Sequence, residues 1–279
     1  MFWRSKWVMI SSFLSLLSVG ACANAWRDFA DKSSDSYLME QARNSLDALN
    51  FDKAIIEITP VIASNPQNMD AAYIGSSAYA GRAGLRILDL FISIGNDISS
   101  KTLLTILAQH FIGATDQSLS DMNTSVSLLE GAGPNAASRS TDMNFYALLL
   151  YYARIGVNLN RYAFDVSANT LLPNFNACYK TVDLVAINTG IPDAAIDNIM
   201  ISVPRIIDAI SGVTGSGDAF SAILNASILP ASLPSAPIPC SLSSVNVQCL
   251  AIRTLITNTN VGAPGIGGLG GAACVGPVP

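Results

Sequence analysis

The sequence predicts an all-α protein, a helical bundle or a short superhelix that ends in an irregular C-terminal segment. Between residues 35 and 212 the apolar side chains recur mostly at three- and four-residue intervals, which places them on one face of a helix. Charged residues make up 13% and apolar residues 50% of the 279-residue chain, a balance that disordered chains reverse. Proline and glycine concentrate in residues 213–279, where regular helix is therefore not expected.

The first 21 residues have the pattern of a secretory signal peptide. Arg4 and Lys6 precede a largely apolar run of twelve residues, Val8 to Val19, and small residues follow it. A helix of that length spans about 18 Å, whereas the hydrocarbon core of a bilayer is roughly 30 Å thick. The run is therefore too short for a permanent transmembrane helix.

Residues 19–22, Val-Gly-Ala-Cys, resemble the lipobox of bacterial lipoproteins. The resemblance implies cleavage before Cys22, a lipid on Cys22, and a tether over residues 22–34. It further implies an outer-membrane lipoprotein of a Gram-negative cell, facing the periplasm or exposed at the surface, because Ala23 stands where inner-membrane lipoproteins often have aspartate. The alternative is an ordinary signal peptide cut near Ala21 or Ala25, with Cys22 incidental.

Four further cysteines lie in the last part of the chain: Cys178, Cys240, Cys249 and Cys274. An even number in an exported chain predicts two disulfides, for which three connectivities are possible. We favour Cys240 with Cys249, which closes a short loop, and Cys178 with Cys274, which ties down the Gly-rich tail. The cysteines lack CxxC spacing and the chain has one histidine, so we expect no zinc site and no cofactor.

Residues 35–68 resemble a tetratricopeptide repeat, a helix–turn–helix unit of 34 residues. Leu38 and Ala42 stand at the large and small positions of the first helix. Phe51 and Ala54 stand at the aromatic and small positions of the second helix, and Pro66 is the closing proline. In such repeats the small residues receive the aromatic side chains of neighbouring helices.

A second, weaker unit begins at Met69, with Ser76 and Tyr79 at the small and aromatic positions. It departs from the pattern because Ser100 stands in place of the closing proline, and Pro60 interrupts the second helix of the first unit. In this family the first helix of each unit faces a concave groove. The resemblance therefore implies a groove with four side chains of the first unit: Met39, Arg43, Leu46 and Asp47.

The apolar spacing predicts further helices beyond the repeats, over residues 83–95, 101–113, 120–131, 141–164 and 193–212, and a short one within 243–255. Residues 131–140 form either a hinge or a long connection between two blocks. Six aromatic side chains cluster around the helix at 141–164: Phe145, Tyr146, Tyr151, Tyr152, Tyr162 and Phe164. They favour helix packing, with the lining of a ligand pocket as the alternative.

Nothing in the sequence predicts an enzyme. His110 is the only histidine, and no nucleophile or acid lies at a motif spacing from it. The GxGxxG match at residues 265–270 lies too close to the end of the chain for a dinucleotide-binding unit. Asp193 and Asp197 share a helix face but are too few for calcium. The net charge of −5, without a long basic run, argues against nucleic acid as a partner.

These features predict a lipid-anchored cell-envelope protein that binds another protein or organises a complex. The alternative is a periplasmic lipoprotein that binds a small apolar ligand and assists a transporter. Residues 35–165 are similar in this respect to the T-component family of TRAP transporters, which combines a helical bundle with a ligand pore. A large apolar cavity would favour the ligand, and an open groove of mixed polarity would favour the protein partner.

Overall fold

The structure is a computed structural model that describes residues 31–97, 101–165 and 190–213, together with Leu172, Cys240, Cys249, Leu250, Ile252, Arg253 and Ile256. These residues confirm the all-α prediction, since they form helices and contain no β-strand. Eight α-helices are described: α1 (Asp35–Asp47), α2 (Phe51–Ser64), α3 (Met69–Arg82), α4 (Ile87–Asp97), α5 (Leu103–His110), α6 (Asp116–Ala132), α7 (Thr141–Ala163) and α8 (Asp193–Val213).

Most of these helices begin at a polar side chain that accepts a hydrogen bond from the first turn. The N-cap residues are Ser34, Asn50, Asn68, Thr102, Thr115 and Ser140. Each such cap satisfies a backbone N–H that would otherwise lack a partner, and it stabilises the helix by about 1 kcal/mol. The helix starts are therefore determined locally by the sequence.

Two helices begin four residues away from their predicted starts, whereas the helix expected over 101–113 is shorter at both ends (Leu103–His110). The helix expected over 83–95 begins only at Ile87, because Gly84 adopts a left-handed conformation (φ 105°) that ends α3 and turns the chain. The helix expected from residue 120 begins at Asp116, because Thr115 and Ser118 form a capping box one turn earlier. Both differences arise from capping residues that carry no apolar periodicity.

The first three helices pack consecutively, α1 against α2, α2 against α3, and α1 against α3. Their interfaces bury small side chains such as Ala42, Ala54 and Ala78, all fully buried, which lets the backbones approach closely. The N-caps of α1 and α3, Ser34 and Asn68, are 34 residues apart. The helix that packs along α3 on its other side is α6, whereas α4 packs mainly against α5.

Helix α7 is the centre of the molecule and contacts α5, α6 and α8. Tyr151 and Ala153 are both fully buried although they point about 200° apart around this helix, as expected for an element surrounded by others. The Arg154 guanidinium donates to the side chains of Asn123 on α6 and Asn198 on α8, and so joins three helices. Burial lowers the pKa of Arg154.

The connection over residues 131–140 is held between α7 and α8. It contains a turn of 3₁₀ helix (Ala136–Ser138) whose Ala136 N–H donates to Asp208 of α8 at 2.9 Å. Asn144 of α7 donates to the Ala136 carbonyl at 2.9 Å, and Arg139 pairs with Asp208 at 3.2 Å. These bonds hold the connection against α7 and α8, as in a rigid connection.

Candidate functional site

A groove opens between α1, α3 and the chain segment that leads into α4. We call it the α1–α3 groove, and its volume is about 560 Å³. Its lining comes from α1, the following turn and the first residue of α2 (Arg43, Leu46, Asp47, Leu49, Phe51), from α3 (Tyr73, Ile74, Ser77, Gly81) and from the segment before and at the start of α4 (Leu85, Arg86, Ile87, Leu88, Asp89). Apolar side chains and four charged side chains share this surface.

The wall on the α1 side is set by the way α1 ends. The Asn50 N–H donates to the Ser45 carbonyl at 2.8 Å, and the Leu49 N–H donates to the Leu46 carbonyl at 2.8 Å. This pair of bonds is a Schellman motif, which requires a left-handed residue at the position of Leu49. Leu49 has φ 56° and is 57% exposed at the edge of the groove.

The wall on the α4 side is set by the same motif at the end of α3. The Leu85 N–H donates to the Ala80 carbonyl at 2.9 Å, and the Gly84 N–H donates to the Gly81 carbonyl at 3.1 Å. Here the left-handed position is a glycine, Gly84, which adopts it without steric cost. The turn directs residues 85–89 along the groove, opposite α1.

The floor of the groove is apolar and closely packed. The ring of Phe51 lies against Gly81, where a methyl group would overlap with the ring. Ile74 is 2% exposed, and Tyr73 makes an edge-to-face contact with Tyr146 of α7 at 4.8 Å between ring centroids. Tyr146 is hydrogen bonded to Ser76, so the floor is anchored to the centre of the molecule.

The rim carries two positive and two negative side chains, Arg43, Asp47, Arg86 and Asp89. All four are exposed, and none forms an ion pair with any residue in the described part of the chain. Arg86 also lies over the ring of Phe51, with 5.9 Å between the guanidinium carbon and the ring centroid. The rim charges are thus open to groups beyond the described residues.

Large apolar side chains beside the groove face solvent. Leu88 is 71% exposed and Ile92, one turn further along α4, is 52% exposed. The opposite face of α4 buries Leu90 and Ile94, which are 0% and 8% exposed. Helix α4 is therefore apolar on two faces, and the described residues cover only one of them.

Three of the four side chains that the repeat resemblance placed in a groove line this one. Arg43, Leu46 and Asp47 lie in the C-terminal half of α1, beside the segment 85–89. Met39 does not line the groove, and it packs against the small core that contains Ala42. The sequence did not identify the second wall, because its position depends on the turn at Gly84 and on the packing of α4 against α5.

The single histidine has a structural role. His110 accepts a hydrogen bond through Nε2 from the Arg86 N–H at 3.3 Å, and its ring contacts Phe111 edge to face. Burial lowers the pKa of His110, and this effect outweighs the nearby carboxylate of Asp89. The neutral imidazole therefore supports the segment that forms the second wall of the groove.

Most of the aromatic cluster belongs to the core. Tyr146, Tyr151, Tyr152 and Phe164 are at most 7% exposed, while Phe145 and Tyr162 are partly buried. Phe145 stacks on Phe91 of α4 with 5.7 Å between ring centroids. None of the six lines the α1–α3 groove, so helix packing accounts for their position in the described structure.

Two of the cysteines fall within the described residues, and they form the Cys240–Cys249 disulfide. The Cys240 N–H donates to the Asp197 carboxylate, which ties this segment to α8. Asp193 lies close enough to both sulfurs to share a metal ion with them, but the sulfurs are bonded to each other and carry no thiolate charge. Cys22, Cys178 and Cys274 lie outside the described residues.

Comparison with protein-family models, with curated proteins and with solved structures found no significant match. The resemblances to tetratricopeptide repeats and to the TRAP T-component family therefore stay predictions. In the part of the chain that the structure describes, no helix has the length and apolar character needed to cross a bilayer.

Proposed function

We propose that the protein is a lipid-anchored component of the cell envelope that binds another protein in the α1–α3 groove. The observation that carries the proposal is the combination of an apolar floor with four rim charges that lack ion-pair partners among the described residues. Protein interfaces combine an apolar centre with a polar rim in this way. The partner would place apolar side chains on Tyr73 and Leu46 and oppositely charged groups on the rim.

The openness and mixed polarity of the groove favour a protein over a small apolar ligand. Its volume of about 560 Å³ falls within the range of ligand pockets, roughly 300–1,000 Å³. A small apolar ligand would leave Arg43, Asp47, Arg86 and Asp89 without partners, however, whereas a polypeptide segment supplies charges of both signs. If the groove bound a small apolar ligand instead, a fluorescent fatty acid should bind the protein, and Tyr73→Ala should weaken that binding.

Photo-cross-linking in the native envelope tests the groove. A photoreactive amino acid in place of Tyr73, which is 38% exposed, should give a discrete protein adduct. The matched control is the same substitution at Ile56, which is 72% exposed on α2 and does not line the groove. Equal adducts at both positions, or none at Tyr73, would contradict the proposal.

Membrane anchoring is tested separately at Cys22. A Cys22→Ala variant should be found in the soluble periplasmic fraction, because the acyl chains that hold the protein would be missing. Mass spectrometry of the wild-type mature protein should show acylated Cys22 at its N-terminus. An unacylated mature protein, or a Cys22→Ala variant that stays with the membrane, would overturn the anchor.

A further inference from the structure

We propose that the protein bound in the α1–α3 groove is a second copy of the same chain, arranged about a two-fold axis. This inference rests on the proposed function and names the partner of the same groove. In a two-fold dimer one surface patch faces itself, so the patch must be complementary to itself in both shape and charge. The described surface around the groove offers exposed apolar side chains for the first requirement and charges of both signs for the second.

Shape complementarity comes from a ridge beside the groove. Leu88 and Ile92 lie one turn apart on the exposed face of α4, and Leu88 also lines the groove. A two-fold axis through the groove, between α1 and residue 88, would place the ridge of each copy against the groove of the other. Two groups of apolar side chains that now face solvent would then cover each other, and burial of such surface is the main driving force for association.

Charge complementarity comes from the order of the rim charges along the chain. On α1 the positive Arg43 precedes the negative Asp47, and at the start of α4 the positive Arg86 precedes the negative Asp89. If α1 of one copy runs antiparallel to the segment 86–89 of the other, each positive side chain meets a negative one. The symmetry creates this set of pairs twice, and the rim as a whole has no net charge.

Attachment to a membrane surface would favour such a dimer even if its interface is small. Two copies held by their lipids share a thin layer at the bilayer, so their effective concentration is far higher than in free solution. The test therefore uses the complete lipidated chain in vesicles of phosphatidylethanolamine and phosphatidylglycerol. A photoreactive amino acid replaces Ile92, and two populations of the protein carry different epitope tags.

Two charge-swap variants distinguish a second copy from any other partner. Variant A exchanges the charges on α1 (Arg43→Asp with Asp47→Arg), and variant B exchanges those at α4 (Arg86→Asp with Asp89→Arg). In A alone, or in B alone, like charges meet across the interface, and we expect at least about a tenfold loss of tag-to-tag product. In an equimolar mixture both contacts are again between opposite charges, so the product should return to the wild-type level.

The swaps leave composition and net charge unchanged and alter only exposed side chains without ion pairs among the described residues, so thermal unfolding of A should match the wild type. Variant B should melt slightly lower, because it removes the Arg86–Phe51 contact and the acidic residue in the first turn of α4. The inference is overturned if wild-type vesicles give no tag-to-tag product, or if A and B cross-link as well as the wild type. It is also overturned if the equimolar mixture of A and B gives no more tag-to-tag product than A or B alone. A cross-link from Tyr73 to a different envelope protein, with no self-product, would leave the proposed function standing and remove only this inference.

Discussion

The guanidinium of Arg82 forms a two-pronged ion pair with the carboxylate of Asp121, with Nε–Oδ2 and Nη2–Oδ1 distances of 2.8 and 2.7 Å. The pair joins the end of α3 to α6, the helix that packs along it. Asp121 is 2% exposed and also accepts from Gln117 at 2.8 Å. The bonds to Asp121 raise the pKa of Arg82, so the guanidinium keeps its positive charge.

Asp121→Asn should lower the free energy of unfolding by about 2–4 kcal/mol, because the charged Arg82 would lose its buried partner. The control is Asp52→Asn, which removes the other carboxylate bound to the same guanidinium. The Asp52 side chain is 75% exposed, so its loss should cost less than about 1 kcal/mol. Urea unfolding followed by circular dichroism measures both, and equal effects would contradict the role given to Asp121.

Gly156→Ala should destabilise the protein by about 1–3 kcal/mol. Helices α5 and α7 approach so closely that a methyl group at residue 156 would lie 2.6 Å from the Leu107 carbonyl oxygen, which belongs to the backbone and cannot move aside. Gly95→Ala on α4 is the control, since no atom lies within 4 Å of the added methyl. That change should be neutral or stabilising by up to about 1 kcal/mol. A Gly156→Ala melting temperature equal to that of the wild type would show that the helices can separate.

Stability should fall as the pH decreases through the range in which histidine titrates. Burial holds the pKa of folded His110 below its ordinary value of 6.5, so the unfolded chain binds a proton at a pH at which the folded one does not. The contribution of the neutral imidazole to the stability of the fold is therefore fully present above pH 6.5. It is lost as the pH falls through the pKa of the folded state. Protonation of Nε2 also removes the acceptor for the Arg86 N–H.

The measurement is the melting temperature of wild type and His110→Gln between about pH 7.5 and pH 5.5, a range in which histidine is the side chain that ordinarily titrates. Because His110 is the only histidine, the difference between the two curves isolates its contribution. The wild type should lose more stability towards low pH than the variant. Parallel curves would exclude the proposed linkage.

Leu49→Gly should leave stability unchanged or raise it by up to about 1 kcal/mol, because leucine is strained at φ 56° and glycine is not. The same change should weaken cross-linking from the groove, since it removes an apolar wall that is 57% exposed. Gly84→Ala, at the corresponding position after α3, is the reverse experiment. It should lower stability, because φ there is 105°. A loss of stability in Leu49→Gly would mean that the Leu49 side chain contributes to folding and not to binding.

Much of the helical structure was predictable because its signals are local. The helix predicted over 141–164 is observed at Thr141–Ala163, and the one predicted over 193–212 at Asp193–Val213. The first begins at the N-cap of Ser140 and the second follows Pro192, and both contain long apolar repeats. Both the N-cap and the apolar spacing are recognised from residues close in the sequence, so these helices could be predicted without knowing how they pack.

The groove was predictable only in part. The repeat resemblance placed Arg43, Leu46 and Asp47 on one face of α1, since residues three and four apart share a helix face. It also placed Met39 there, whereas in the structure Met39 is partly buried against the neighbouring helices at the other end of α1. Which turns of α1 line the groove depends on where residues 85–89 pass α1. That position is determined by contacts between residues far apart in the sequence.

The amino-acid sequence alone determined that the chain is helical, where most helices begin, and which side of α1 carries the charges beside the groove. These properties depend on interactions between residues a few positions apart. Only the tertiary structure decided that α6 packs along α3, that residues 85–89 form the second wall, and that the rim charges lack ion pairs among the described residues. Those properties depend on contacts between segments far apart in the chain, whose geometry follows from the packing of the whole core around α7.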